Sequence, residues 1–184
     1  MTFLTACPKK EDSGGIFSSD QTEEAVQLVE DGNVKLREIK KILHENESRL
    51  EDLKTAMGAK NTTEVKRLAE QLINEIGRGT KLGQDALAKL DEAQGLNINE
   101  DFKTYLSLKS GSLLKYAEAY EERRKLAMIL YDKYDPTNAD QKKTVSEEFE
   151  RREEVFMKIM KDAGDLSFKA NQLAKEANNK SKKQ

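Results

Sequence analysis

The sequence has no Trp, one Cys, one His and two Pro in 184 residues. A single Cys excludes an internal disulfide and any Cys-rich zinc site. A single His excludes most histidine-based metal centres and leaves a Ser or Cys nucleophile without its usual base. A di-iron bundle needs Glu-x-x-His pairs on two helices, and the residue three before His44 is Lys41. No Cys-x-x-Cys-His motif is present for covalent haem, and Gly77-Arg78-Gly79 lies inside a helical pattern rather than in a phosphate loop. His44 falls beside Leu43 but off the apolar seam, as an exposed surface histidine would. No one charge sign dominates either. Lys and Arg number 32 against 34 Asp and Glu, for a net charge of −2, so no global field draws in nucleic acid. No apolar run suits a membrane span. These absences predict a non-enzymatic protein with no cofactor, no metal and no nucleic-acid partner.

What is present is charge and helical period. Charged residues make up 36% of the chain and apolar residues another 36%. From Asp20 to Ala177 the apolar positions recur at helical spacing, with breaks at Gly58–Asn61, Gly95–Asn99 and Asp135–Thr137. Asp20 with Glu23, Asn61 with Glu64 and Thr137 with Asp140 have the form of helix N-terminal signatures, a short polar cap followed by an acid. Pro136 disfavours helix at Asp135. The expectation is four helices near 20–57, 62–94, 99–134 and 138–177, each about 50–60 Å long. Short connections make sequential helices antiparallel. Val29, Leu36, Leu43, Leu50 and Met57 recur every seven residues, as do Phe149, Phe156, Ala163, Ala170 and Ala177, which predicts coiled-coil-like seams. The fold class is therefore all-α, a long up-down-up-down antiparallel four-helix bundle over residues 20–177. Residues 1–19 lie before it, and 178–184 form a basic tail read as disordered.

Two features of the seams are candidate sites. All five tyrosines fall in the third helical segment, and the second has Gly79 and Gly83 in the middle of its apolar face. Large side chains on one helix need small neighbours on the next, so Gly79, Gly83, Tyr105 and Tyr116 define a candidate groove. Its plain reading is large-against-small core packing; its functional reading is a tyrosine-lined site for a ligand. The second feature is polar. Asn46 and Arg152 occupy seam positions, Arg123 lies under the tyrosine stripe, and Tyr120 comes to a similar height. Buried polar groups must bond one another or reach outward. Asn46, Arg152 and Tyr120 are therefore expected to form one polar layer that fixes register, and Arg123 with Arg152 is the alternative anion site.

The N-terminal stretch carries an address. Leu4-Thr5-Ala6-Cys7 resembles the lipobox of bacterial lipoproteins: an aliphatic residue, two small residues and a cysteine. The resemblance covers these four residues; the helical segments carry no specific family motif. It implies that Cys7 is the lipid-attachment residue and that residues 8–19, with Gly14-Gly15 and mixed charge, are a flexible tether. Only Met1 to Ala6 precede Cys7, so the basic and apolar regions of a full lipoprotein signal are not in this sequence, and 1–19 reads as a truncated signal remnant plus tether. Pro8 stands where an aspartate would favour inner-membrane retention, which leans towards the outer membrane. The resulting expectation is a lipid-anchored bundle of the cell envelope, facing the periplasm or outer membrane. Its partners would be the membrane, through the lipid, and another envelope protein. The alternatives are a cytoplasmic helical interaction protein and a small-molecule or anion carrier using the Tyr/Arg interior. The sequence leaves the oligomeric state open.

Overall fold

A computed structural model describes residues 20–181. Over this span the chain folds as four helices: α1 (Thr22–Gly58), α2 (Thr62–Gln94), α3 (Glu100–Lys133) and α4 (Ala139–Ser181). Together they form an all-α four-helix bundle. The expected breaks fall within a residue or two of the observed ones. The exception is the far end: α4 runs through Asn178-Asn179-Lys180 to Ser181. Those residues contain no Gly or Pro to stop it, so the basic stretch is in part helix. Residues 1–19, with Cys7, lie outside the described residues.

The caps show how local chemistry sets the boundaries. Asn61 Oδ1 accepts the Glu64 amide at 3.1 Å, and Asn99 Oδ1 accepts that of Phe102 at 2.8 Å. Two expected caps are displaced. At α4, Asn138 rather than Thr137 receives the free amides, those of Asp140 and Gln141, each at 3.1 Å. Thr137 instead donates its amide and hydroxyl to Asp135 at 2.9 and 2.7 Å. At α1, Asp20 accepts from Thr22 in place of the expected Asp20–Glu23 box, through the Thr22 amide at 3.0 Å and through its hydroxyl. A Ser/Thr/Asn/Asp run offers several possible caps, and an acid three residues on does not choose among them.

The close backbone approaches are α1 with α2, α2 with α3 and α3 with α4. The outer helices α1 and α4 do not come as near, so the bundle is joined along three sides. On the fourth side Leu43 of α1 and Val155 and Met160 of α4 pack over a cluster of Ile76, Tyr120, Phe156 and Ile159. A larger cluster at one end unites Leu53, Leu72, Leu126, Leu130 and Val145 from all four helices. At the other end Leu28, Leu90 and Leu106 join α1, α2 and α3. Tyr134 locks the first end, its hydroxyl donating to the Met57 carbonyl at 2.9 Å. Gln21 locks the second, its side-chain oxygen accepting the Asn97 amide at 2.9 Å.

Small residues set the closest approach of α3 and α4. A Cβ on Gly111 would lie 3.5 Å from Leu166, and the Ser112 hydroxyl donates to the Ala163 carbonyl at 2.8 Å. Both Ser112 and Ala163 are buried. The hydroxyl gains a partner only because the backbones come this near.

Candidate functional site

The middle of the bundle brings together most of the residues singled out above, in two separate arrangements. The first is a small cavity between α1, α2 and α3. Gly79 and Gly83 form one wall, Tyr116 and Tyr120 another, and Ile39 and Ile42 a third. A Cβ on Gly83 would meet nothing within 4 Å, and one on Gly79 would meet only Ile42, at 3.8 Å. The glycines thus stand across from tyrosines, as the seam pattern suggests, and leave space unfilled. Tyr105 is not part of this arrangement. It packs against Phe102 with ring centroids 5.9 Å apart, and the Lys109 ammonium lies 5.8 Å from its ring centre. Tyr105 lies three turns of α3 from Tyr116, towards the α2–α3 loop, too far along the helix to share a wall with Gly79.

The cavity holds about 30 Å³. Ligand pockets run to roughly 300–1,000 Å³, and one water needs about 10–15 Å³ of this kind of space. This cavity therefore has room for a water or two and none for a carried small molecule in this packing.

The second arrangement is polar and lies between α3 and α4. Arg123 stacks on Phe156, its guanidinium carbon 3.6 Å from the ring centre. Phe156 in turn meets Tyr120 edge-on at 5.7 Å. The Arg123 side chain is 11% exposed, and its Nη2 donates to Glu153 at 3.2 Å. Arg152 is 15% exposed; its Nη1 donates to Glu122 at 2.6 Å, and its Nε lies 3.0 Å from Glu148. Burial pushes the Tyr120 hydroxyl up to about 12, against the opposing pull of the Arg123 charge. Glu122 is held below its ordinary range, first by its hydrogen bond from Lys125 and, further down the order, by Arg152.

The expected layer of Asn46, Arg152 and Tyr120 is not what forms. Asn46 is 1% exposed, as a seam residue should be. Its Oδ1 accepts from Arg49, one turn along the same helix, at 3.0 Å, and its Nδ2 is buried without a hydrogen-bond partner. Arg152 takes its partners from α3 and α4 instead. The physical reason is charge: a guanidinium gains more from two carboxylates than from an amide. The same pairs weigh against the anion site, because Glu153, Glu122 and Glu148 already neutralise both arginines. Arg123 keeps two buried donors, Nε and Nη1, without hydrogen-bond partners.

Glu122, Glu148 and Glu153 were not recognisable as site residues from composition or seam position. The available signal was register. Arg123–Glu153 and Glu122–Arg152 are centred on residues 138 and 137, as required of facing residues in a hairpin that turns near Pro136. His44 is exposed. Among the described residues no three metal-ligating side chains converge, and no helix is long and apolar enough to cross a membrane. No protein-family model, curated protein or solved structure matches the chain.

Proposed function

We propose that the protein is a non-enzymatic helical scaffold of the cell envelope, anchored through lipid on Cys7, which engages partners through its outer surface. The observation that carries the surface part is the small size of the interior cavity. A cavity of about 30 Å³ and two arginines already paired with glutamates support binding on the outside of the bundle rather than a carrier function. The anchoring part rests on Leu4-Thr5-Ala6-Cys7 and the polar stretch after it. Acyl chains contribute about 0.8 kcal/mol per buried CH₂, so two or more hold a protein at a bilayer without a spanning helix. The non-enzymatic part rests on the scarcity of His and Cys.

The test is expression from the native locus with an alkyne palmitate analogue, followed by fractionation. Wild-type chain should take up label and sediment with membranes, while Cys7→Ser should be unlabelled and stay in the supernatant. A wild-type chain that takes up no label and stays in the supernatant overturns the anchor, and the cytoplasmic interaction protein takes its place.

A further inference from the structure

The outward face of α4 carries two large apolar side chains that the bundle does not cover. Met157 is 60% exposed and Phe168 is 62% exposed. At 3.6 residues per turn they lie within about 20° of one another, on one line along the helix. That line also passes Glu150, Gly164 and Lys175, all turned away from the buried positions Phe156, Ala163 and Ala170. Beside Met157 is an open surface depression lined by Phe149, Glu150, Glu153, Glu154 and Met157. The last four have the i, i+3, i+4, i+7 spacing of the hole that accepts a knob from a facing helix.

We propose that this face pairs with α4 of a second copy of the chain, antiparallel and about a two-fold axis. The argument for a second copy is self-complementarity. Seating the partner's Phe168 in the depression places the partner's Met157 over Gly164, in the hole formed by Lys161, Gly164, Asp165 and Phe168. Both knobs therefore find holes in a single register. A Cβ on Gly164 would meet nothing within 4 Å, so that hole is open to the incoming thioether. In the same register the partner's Lys175 lies one turn beyond Glu150, near enough for its long stem to carry the ammonium to the carboxylate, and by symmetry Lys175 reaches the partner's Glu150. The stripe begins at Glu150, Glu153 and Glu154 and ends at Lys175, with Asp165 as an acid in its second half, which suits antiparallel pairing over parallel pairing. The residue opposing association is Lys161, which meets its own copy near the axis; its long stem lets the ammonium turn to solvent. The inference rests on the reading of the outer surface as the binding surface and does not depend on the lipid.

The test uses the full 184-residue chain under reducing conditions, by sedimentation equilibrium up to about 100 µM and by native mass spectrometry. The expected result is a species of twice the 20.9 kDa chain mass. Phe168→Glu puts a carboxylate into a glutamate-lined depression and should weaken pairing roughly tenfold or more, as loss of a central anchor does. Its circular dichroism should match wild type, because Phe168 is exposed. Glu150→Lys and Lys175→Glu should each weaken pairing, and the two together should restore it. A chain that stays monomeric throughout, or a dimer indifferent to Phe168→Glu, overturns the proposal. A dimer that the double charge exchange does not rescue overturns the antiparallel register. The same mass spectra separate this failure from failure of the surface reading, since a co-purified small molecule adds its own mass to the monomer.

Discussion

The two hairpins of this bundle are held together by different means. Between α1 and α2 the contacts are apolar: Leu50 and Leu53 meet Leu68 and Leu72 at one end, and Leu28 and Val29 meet Ala86 and Leu90 at the other. Gly32 lets the backbones come close, since a Cβ there would stand 3.5 Å from the Ala86 carbonyl. Between α3 and α4 the contacts include two ion pairs from one helix to the other, Arg123–Glu153 and Arg152–Glu122, and the Ser112–Ala163 hydrogen bond. Apolar burial stabilises without direction, whereas an ion pair or hydrogen bond fails when one partner slides by a turn. The first hairpin thus supplies cohesion, and the second spends part of its facing surface on register. Each outer helix packs closely on one neighbour, α1 on α2 and α4 on α3, and the outward face of α4 leaves the larger side chains, Met157 and Phe168, uncovered.

The contrast breaks most visibly in the first hairpin. Leu53 is fully buried in the cluster shared by all four helices. Leu53→Ala should cost about 2–5 kcal/mol, the range for buried leucine truncation, read as a fall in the urea midpoint. Met157→Ala on the exposed face of α4 should stay within about 0.5 kcal/mol in the monomer. Equal losses at the two positions would mean that the outward face of α4 is covered in the monomer.

Alkaline pH probes the aromatic side of the second hairpin. The Tyr120 hydroxyl ionises near 12 in the folded protein and near its ordinary value when unfolded. The folded state therefore holds the proton more tightly between these values. Stability from the neutral phenol is fully present below about 10 and is lost as pH rises towards 12. By pH 11 the loss should reach about 1.4 kcal/mol, and Tyr120→Phe should make the slope shallower without abolishing it, because burial also raises Tyr105 and Tyr134. Denaturation midpoints at pH 8 and pH 11 for the two proteins measure it, and a Tyr120→Phe slope as steep as wild type would place the titrating group elsewhere.

Acid probes the ion pairs. Glu122 and Glu148 are both held below their ordinary range, by Lys125 and Arg151 first and by Arg152 after them. A depressed carboxylate stabilises above its unfolded value, 4.5, and that contribution is lost as pH falls through the lower folded value. Glu122→Gln should cost about 1 kcal/mol at neutral pH, the upper range for pairs that water still reaches. The difference from wild type should shrink as pH drops below 4. Leu53 packs among apolar side chains and carries no titratable group, so Leu53→Ala should show a constant difference over the same span.

How far these regions could be read from sequence follows the same division. Helix breaks were legible because Gly, Pro and Asn act locally; Asn61 caps as its spacing requires. The large-against-small relation of Gly79 and Gly83 with Tyr116 was legible because one helix face and one antiparallel register fix it. The polar layer was not. Glu122 sits three residues before Lys125, and Glu148 three before Arg151, so each looks like half of a solvent-exposed pair. Glu148 also pairs with Arg152 four residues on within α4, but that Arg152 reaches Glu122 across the hairpin depends on the register to within one turn. Tyr105 shares a helix face with Tyr116, but their separation along the axis puts them in different clusters. The uncovered face of α4 was hidden for another reason: seam positions show what a helix can bury, and the number of neighbours is a property of the assembled bundle.

The smallest effect is also the one that separates packing from function. Gly83 sits inside α2, where glycine costs about 0.5–1 kcal/mol relative to alanine. Its position beside the cavity offers no steric reason for that cost, because an added Cβ meets nothing within 4 Å. Gly111 differs: its Cβ would meet Leu166 at 3.5 Å, an ordinary contact with little space behind it. Gly83→Ala should therefore raise stability by about 0.5–1 kcal/mol, and Gly111→Ala should gain less, since Leu166 must accept the new methyl. Urea melts of the two variants decide it. If Gly83→Ala stabilises as expected while partner binding and membrane association are unchanged, the space beside Tyr116 and Tyr120 is a packing gap with no use. If it stabilises but weakens binding, the cavity is the part of the interior that the surface depends on, and the glycine is retained at a cost in stability.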